Sequence, residues 1–125
     1  MNTFSKDETI AIYKVAYQMV LADGKIMPEE MVTVEEAMKK MGIHSIDEVS
    51  LIKEKASLLQ EDKCLLTLEL LNQEQKRFVS SLLGTISSSD GDIDDRELEL
   101  WRELCDKCNL PYMNNRQAIL IFKTF

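Results

Sequence analysis

Asp23-Gly24-Lys25-Ile26, followed by Glu30, and Asp90-Gly91-Asp92-Ile93, followed by Glu97, decide how this 125-residue chain folds. The two stretches stand 67 residues apart (90 − 23 and 97 − 30). The same separation pairs Ser5 with Asn72, Met31 with Leu98, Val34 with Trp101, Gly42 with Asn109, and Ile43 with Leu110. Caps, core positions and loop repeat together. This predicts two copies of one helix-loop-helix unit, about 5–43 and 72–110, joined by a two-helix insert at about 45–71.

Outward from the two loops, apolar residues recur at helical spacing, and no β-branched run alternates as a half-buried strand would. The expected fold is all-α, a single helical-bundle domain over 1–125 with about seven helices. Ser5 and Glu8 make a capping box for the first helix, which buries Ile10, Tyr13, Tyr17 and Val20 and stops at Gly24. Pro28 opens the second, with Met31, Val34, Met38 and Met41 inward and Gly42 at its end. Ser45 and Glu48 cap a third, and the leucine-dense run from Cys64 to Leu71 reads as a short, well-buried fourth. Asn72 starts the fifth, carrying Phe78, Val79, Leu82, Leu83 and Ile86. The sixth runs from Asp94 to Asn109 with Leu98, Trp101, Leu104, Cys105 and Cys108 on one side, and a last short helix holds Ile119 and Phe122.

A formal net charge of −7 would repel a phosphate backbone, so nucleic acid is excluded as a partner. The amino terminus has no basic stretch before an apolar one and no eighteen apolar residues run together, so no membrane insertion and a cytoplasmic location are expected. Three cysteines at uneven spacing suit reduced thiols better than a disulfide framework.

Asp-Gly-x-Ile-x-x-x-Glu matches the second half of an EF-hand calcium loop, with glycine at its sixth and glutamate at its twelfth position. The first half is missing. Its first and third positions would be Met19 and Leu21, or Ile86 and Ser88, so an EF-hand proper is not expected. Two readings of the loops stay open. Asp-Gly suits a helix stop and turn, and Glu30, Glu97, Asp94 and Asp95 complement a helix dipole. Asp23 and Asp90, however, sit at helix carboxyl ends, where amide donors or a cation must compensate their charge. With Asp90, Asp92, Asp94, Asp95 and Glu97 so close together, the second copy offers oxygen donors to calcium, magnesium or manganese rather than zinc. The candidate metal ligands are Asp23, Glu30, Asp90, Asp92, Asp94 and Glu97.

Ala22-Asp23-Gly24-Lys25-Ile26 with Glu30, and Ser89-Asp90-Gly91-Asp92-Ile93 with Glu97, in two helical modules spanning most of the chain, resemble the tellurite-resistance TerB-like family. The resemblance implies a cytoplasmic helical bundle whose acidic surface binds metal ions, of a kind also found fused to J-domain co-chaperones. It implies a non-enzymatic, stress-response module that binds a divalent cation weakly, a protein partner, or both. The alternatives are a carboxylate-held metal-dependent hydrolase, or an interaction adaptor with no ion site.

Cys105-x-x-Cys108 lies near the carboxyl end of a helix, where the dipole disfavours thiolate, so redox catalysis is not expected and packing explains both residues. Cys64 and the single histidine, His44, add no second zinc-ligand pair. One histidine, no nucleophile elbow and no glycine-rich phosphate loop argue against an enzyme. Met27, Met31, Met38 and Met41 are read first as core, and as an adaptable partner groove where they reach solvent.

Overall fold

The computed structural model describes residues 3–125 apart from 90 and 92. Seven helices and no strand are found among the described residues: α1 (Lys6–Leu21), α2 (Pro28–Lys40), α3 (Ile46–Leu58), α4 (Glu61–Glu69), α5 (Gln73–Ser88), α6 (Asp95–Cys108) and α7 (Asn115–Lys123). None of these is long and apolar enough to cross a membrane.

The equivalence of the two units extends to individual hydrogen bonds. Ser5 and Glu8 close a capping box on α1, with Glu8 N donating to Ser5 Oγ at 3.1 Å, and Asn72 and Gln75 do the same on α5 at 2.8 Å. Both helices have 16 residues. At the loops, Gly24 (φ 79°) and Gly91 (φ 86°) occupy the left-handed region that a Cβ disfavours. At the far end of the second helices, Gly42 (φ 89°) and Asn109 (φ 55°) are left-handed too. Ile43 N donates to Met38 O and Leu110 N to Cys105 O, the same six-residue helix-ending bond in each copy. Across the units, Gln75 Nε2 donates to Glu8 Oε1 at 3.3 Å. These two residues stand at equivalent positions of the two units, so the units meet at this capping position.

Packing extends each unit by one helix. α3 lies against α1, and α7 lies against α5, while α2 reaches α5 and α6 reaches α1 between the units. Each unit thus has three helices, and α4 alone lies between them, packed on α1 and α6. The third helix escapes the register of 67 because its caps, Ser45 and Asn114, stand 69 apart (114 − 45).

The core gathers on the two central helices, with Ile12, Val15, Met19, Phe78, Leu82, Leu83 and Ile86 all fully buried. α4 differs from expectation. It begins earlier, at Glu61, and only Cys64 and Leu68 are buried in it, whereas Leu66 and Leu70 are exposed. A leucine-dense run on a helix packed along one stripe cannot bury every side. Met38 and Met41 are core as expected, Met27 and Met31 are only half-buried, and Phe122 of α7 is buried while Ile119 is half-exposed.

Candidate functional site

Asp23 follows the last turn of α1, and its Oδ1 accepts a hydrogen bond from Lys25 N at 3.0 Å. That amide is the kind of compensation a carboxylate at a helix carboxyl end requires, and the turn supplies it locally. Asp94 caps α6: its Oδ1 accepts from Arg96 N at 2.8 Å, and its two oxygens meet Arg96 Nε and Nη2 at 3.3 Å. These bonds hold the Asp94 carboxyl below its usual range, the Arg96 side chain contributing most. Asp90 and Asp92 lie outside the described residues. Among the described residues no three His, Cys, Asp or Glu side chains converge as a metal site would require.

Glu30 and Glu97 depart from the dipole reading. Both are buried, at 0% and 1% exposure, at the same position of both units. Acids that serve only a helix dipole remain in solvent, so these two are structural or functional acceptors of the interior. The sequence carried the signal. Glu30 precedes Val34 and Ala37 by four and seven residues, Glu97 precedes Trp101 and Leu104 likewise, and all four apolar partners are buried.

The units differ around these glutamates. Met27, without a side-chain cap, stands where unit two has the cap Asp94. Glu29 stands where unit two has Arg96. The Arg96 guanidinium is held charged chiefly by Asp94, with Asp23 of the other unit and Glu97 reinforcing it. Arg96 therefore partly neutralises the acids gathered there.

In the solved structures, the chain matches a crystal structure of PG1108, a protein of unknown function from Porphyromonas gingivalis W83, with a TM-score of 0.86 and 37% sequence identity. The match covers 98% of this chain and 92% of that one. The chain belongs to the family of PG1108. No family model matches it, and no curated protein sequence does. With PG1108, the chain shares a three-plus-one-plus-three helical fold over nearly its whole length.

Two clefts recur at equivalent places. One, of about 280 Å³, is lined by Met31, Val34, Glu35, Met38, Ser45 and Ile46 among others. The other, of about 430 Å³, uses Leu98, Trp101, Arg102 and Cys105, each 67 residues further on, and Asn114 and Asn115, each 69 further on as the register of the third helix requires. The first runs between α2 and α3, and the second between α6 and the residues that lead into α7.

The cysteines behave as packing residues. All three are free and buried. Cys64 Sγ donates to Ala11 O at 3.4 Å and Cys108 Sγ to Leu65 O at 3.6 Å, tying α4 to both neighbours. Burial pushes the Cys64 thiol from 9.0 up to about 12 and the Cys108 thiol up to about 11. Burial raises Cys105 as well, against a lowering hydrogen bond from Ser80. All three should resist iodoacetamide in the folded protein at pH 8, since thiolate is the nucleophile. Because these folded-state values are raised, the thiols' contribution to stability is complete below about pH 9 and is lost as pH climbs through 11 and 12. Denaturant unfolding between pH 8 and 11 should show that decline, and rapid alkylation of the native protein at pH 8 would refute the packing role.

Proposed function

We propose that this protein is a non-enzymatic helical binding module of the tellurite-resistance TerB-like type, acting in the cytoplasm through the face around its two Asp-Gly loops. The ligand is a divalent cation bound weakly, a protein partner, or both. The observation that carries this reading is the burial of Glu30 and Glu97 at one equivalent position of each unit, next in sequence to acidic loops. A carboxylate is rarely buried, because its charge must be met there by positive charge or several donors, and here the burial occurs at the same position of both units.

Asp23 and Asp94 already serve as turn and cap acceptors, so a cation depends on Asp90 and Asp92 for further oxygens. Water would complete its shell, and an affinity on the order of 10⁻⁴–10⁻³ M follows. Calcium, magnesium and manganese suit such donors, and zinc has no preference for them. Arg96 competes as an internal cation, its guanidinium drawn by Asp94, Asp23 and Glu97.

Titrating calcium, magnesium, manganese and zinc into metal-free protein while recording amide chemical shifts tests this. Millimolar calcium should shift loop amides, Asp90→Asn with Asp92→Asn should abolish the response with helicity unchanged, and Arg96→Gln should tighten binding. A wild type silent at millimolar calcium, or a double variant of undiminished affinity, removes the ion and leaves the interaction module alone.

A further inference from the structure

The cleft of unit one is walled by two helical rows. On α2, Met31, Val34 and Met38 follow one another at intervals of three and four residues; on α3, Ile46, Val49 and Lys53 do the same. Tyr13 of α1 lines the cleft between them. Such rows form the ridges into which a third helix packs, its own side chains entering the grooves between them. Ile46 is 84% exposed and Met31 and Val49 are half-buried, so apolar surface remains there for a partner to cover. A second depression, lined by Tyr17, Lys14 and Ala56, shares Tyr13, Met31 and Lys53 with the first and lengthens it into a groove.

The charge on this groove runs against that of the molecule. In a chain of net charge −7, its lining carries Lys14, Lys39 and Lys53 against the single carboxylate of Glu35. Lys14 Nζ is engaged with Ala56 O at 3.2 Å. Lys39 and Lys53 are exposed and, among the described residues, have no ion pair or hydrogen bond to the protein. The cleft of unit two has Arg102 as its one charged residue, so this pattern belongs to unit one. α6 of a second copy, the helix richest in acids, does not fit the role, because its apolar side chains Trp101, Leu104, Cys105 and Cys108 are already buried. None of Asp23, Glu30, Asp94 and Glu97 lines the groove, so it is independent of the loop surface.

We propose that the α2–α3 groove, walled by Met31, Val34, Met38, Ile46 and Val49 and flanked by Lys39 and Lys53, receives one amphipathic helix of a partner protein with acidic residues bordering its apolar face. Apolar anchors at i, i+3, i+4 and i+7 enter the groove, and carboxylates on both margins meet the two lysines. The apolar contacts give the affinity; the lysines select the partner and speed encounter.

A display library of helical peptides tests this, with apolar residues fixed at i, i+3, i+4 and i+7 and the remaining positions random, selected against the full chain. Selected peptides should be enriched in Asp and Glu at the margins and should shift the amides of Met31, Met38, Val49 and Lys53. Their affinity should fall at least about tenfold on Ile46→Glu and on Lys39→Glu with Lys53→Glu, all exposed changes that leave the fold intact. Replacing the peptide's margin acids by lysine should restore binding to the double variant. The proposal is overturned if no peptide is selected, if acids are not enriched, or if the lysine changes leave affinity unaltered. It is equally overturned if dodecanoate shifts these amides while no peptide does, which would make the groove a site for a small apolar anion.

Discussion

Phe78→Ala is expected to lower the unfolding free energy by about 3–5 kcal/mol, a large share of the roughly 5–15 kcal/mol of a domain this size. Phe78 is fully buried on α5, and its ring meets Phe4 at 5.2 Å, Phe122 at 5.9 Å and Phe125 at 5.1 Å between centroids. Those three rings come from the residues before α1, from α7 and from the chain end. One side chain thus holds both ends of the described chain on the central helix. Removing it forfeits the transfer of a buried aromatic and leaves a cavity whose walls belong to three segments that cannot all close in. Urea unfolding followed by circular dichroism measures the loss, and Phe78→Leu should recover a good part of it. A loss under about 1 kcal/mol for the alanine variant would mean that the ring cluster does not bind the chain ends.

Gly84→Val is expected to cost roughly 3 kcal/mol, from overpacking at the tightest point of unit two. A Cβ on Gly84 would lie 2.5 Å from Ala118 Cβ, 2.5 Å from Trp101 Cη2 and 2.7 Å from Trp101 Cζ2. The indole is itself fixed, its Nε1 donating to Ser80 Oγ at 3.1 Å while that hydroxyl donates to Pro111 O at 2.7 Å. It therefore cannot swing aside without breaking a buried network. Gly84→Ala is the sharper comparison. Helix propensity alone would favour alanine by about 1 kcal/mol, so a net loss shows that close packing outweighs it. Fluorescence of Trp101, the one tryptophan in the chain, should shift as the indole is displaced, and thermal melts should fall by several degrees. A Gly84→Ala variant more stable than wild type would overturn the argument. At the equivalent positions unit one has Tyr17 in place of Gly84 and Val34 in place of Trp101.

What the sequence determined by itself was whatever short-range chemistry writes twice. Capping pairs Ser5–Glu8 and Asn72–Gln75, the loop glycines, and the helix-ending Gly42 and Asn109 each act within six residues, so their types and spacing announced helices, boundaries and repeat alike. The all-α class followed. The loop acids were equally visible as acids, but their roles were not: Asp23 bonds its own turn, Asp94 caps α6, and Glu30 and Glu97 are interior. The tertiary structure decided the rest. The third helix of each unit, the single-helix insert and the exposure of Leu66 and Leu70 depend on which stripe another helix covers, and that is set by partners distant in sequence. The same holds for the lysine-flanked groove. Its rows on α2 and α3 are ordinary amphipathic spacing in the sequence, and only their convergence beside Tyr13, with Ile46 left exposed among the described residues, makes them a surface for another molecule.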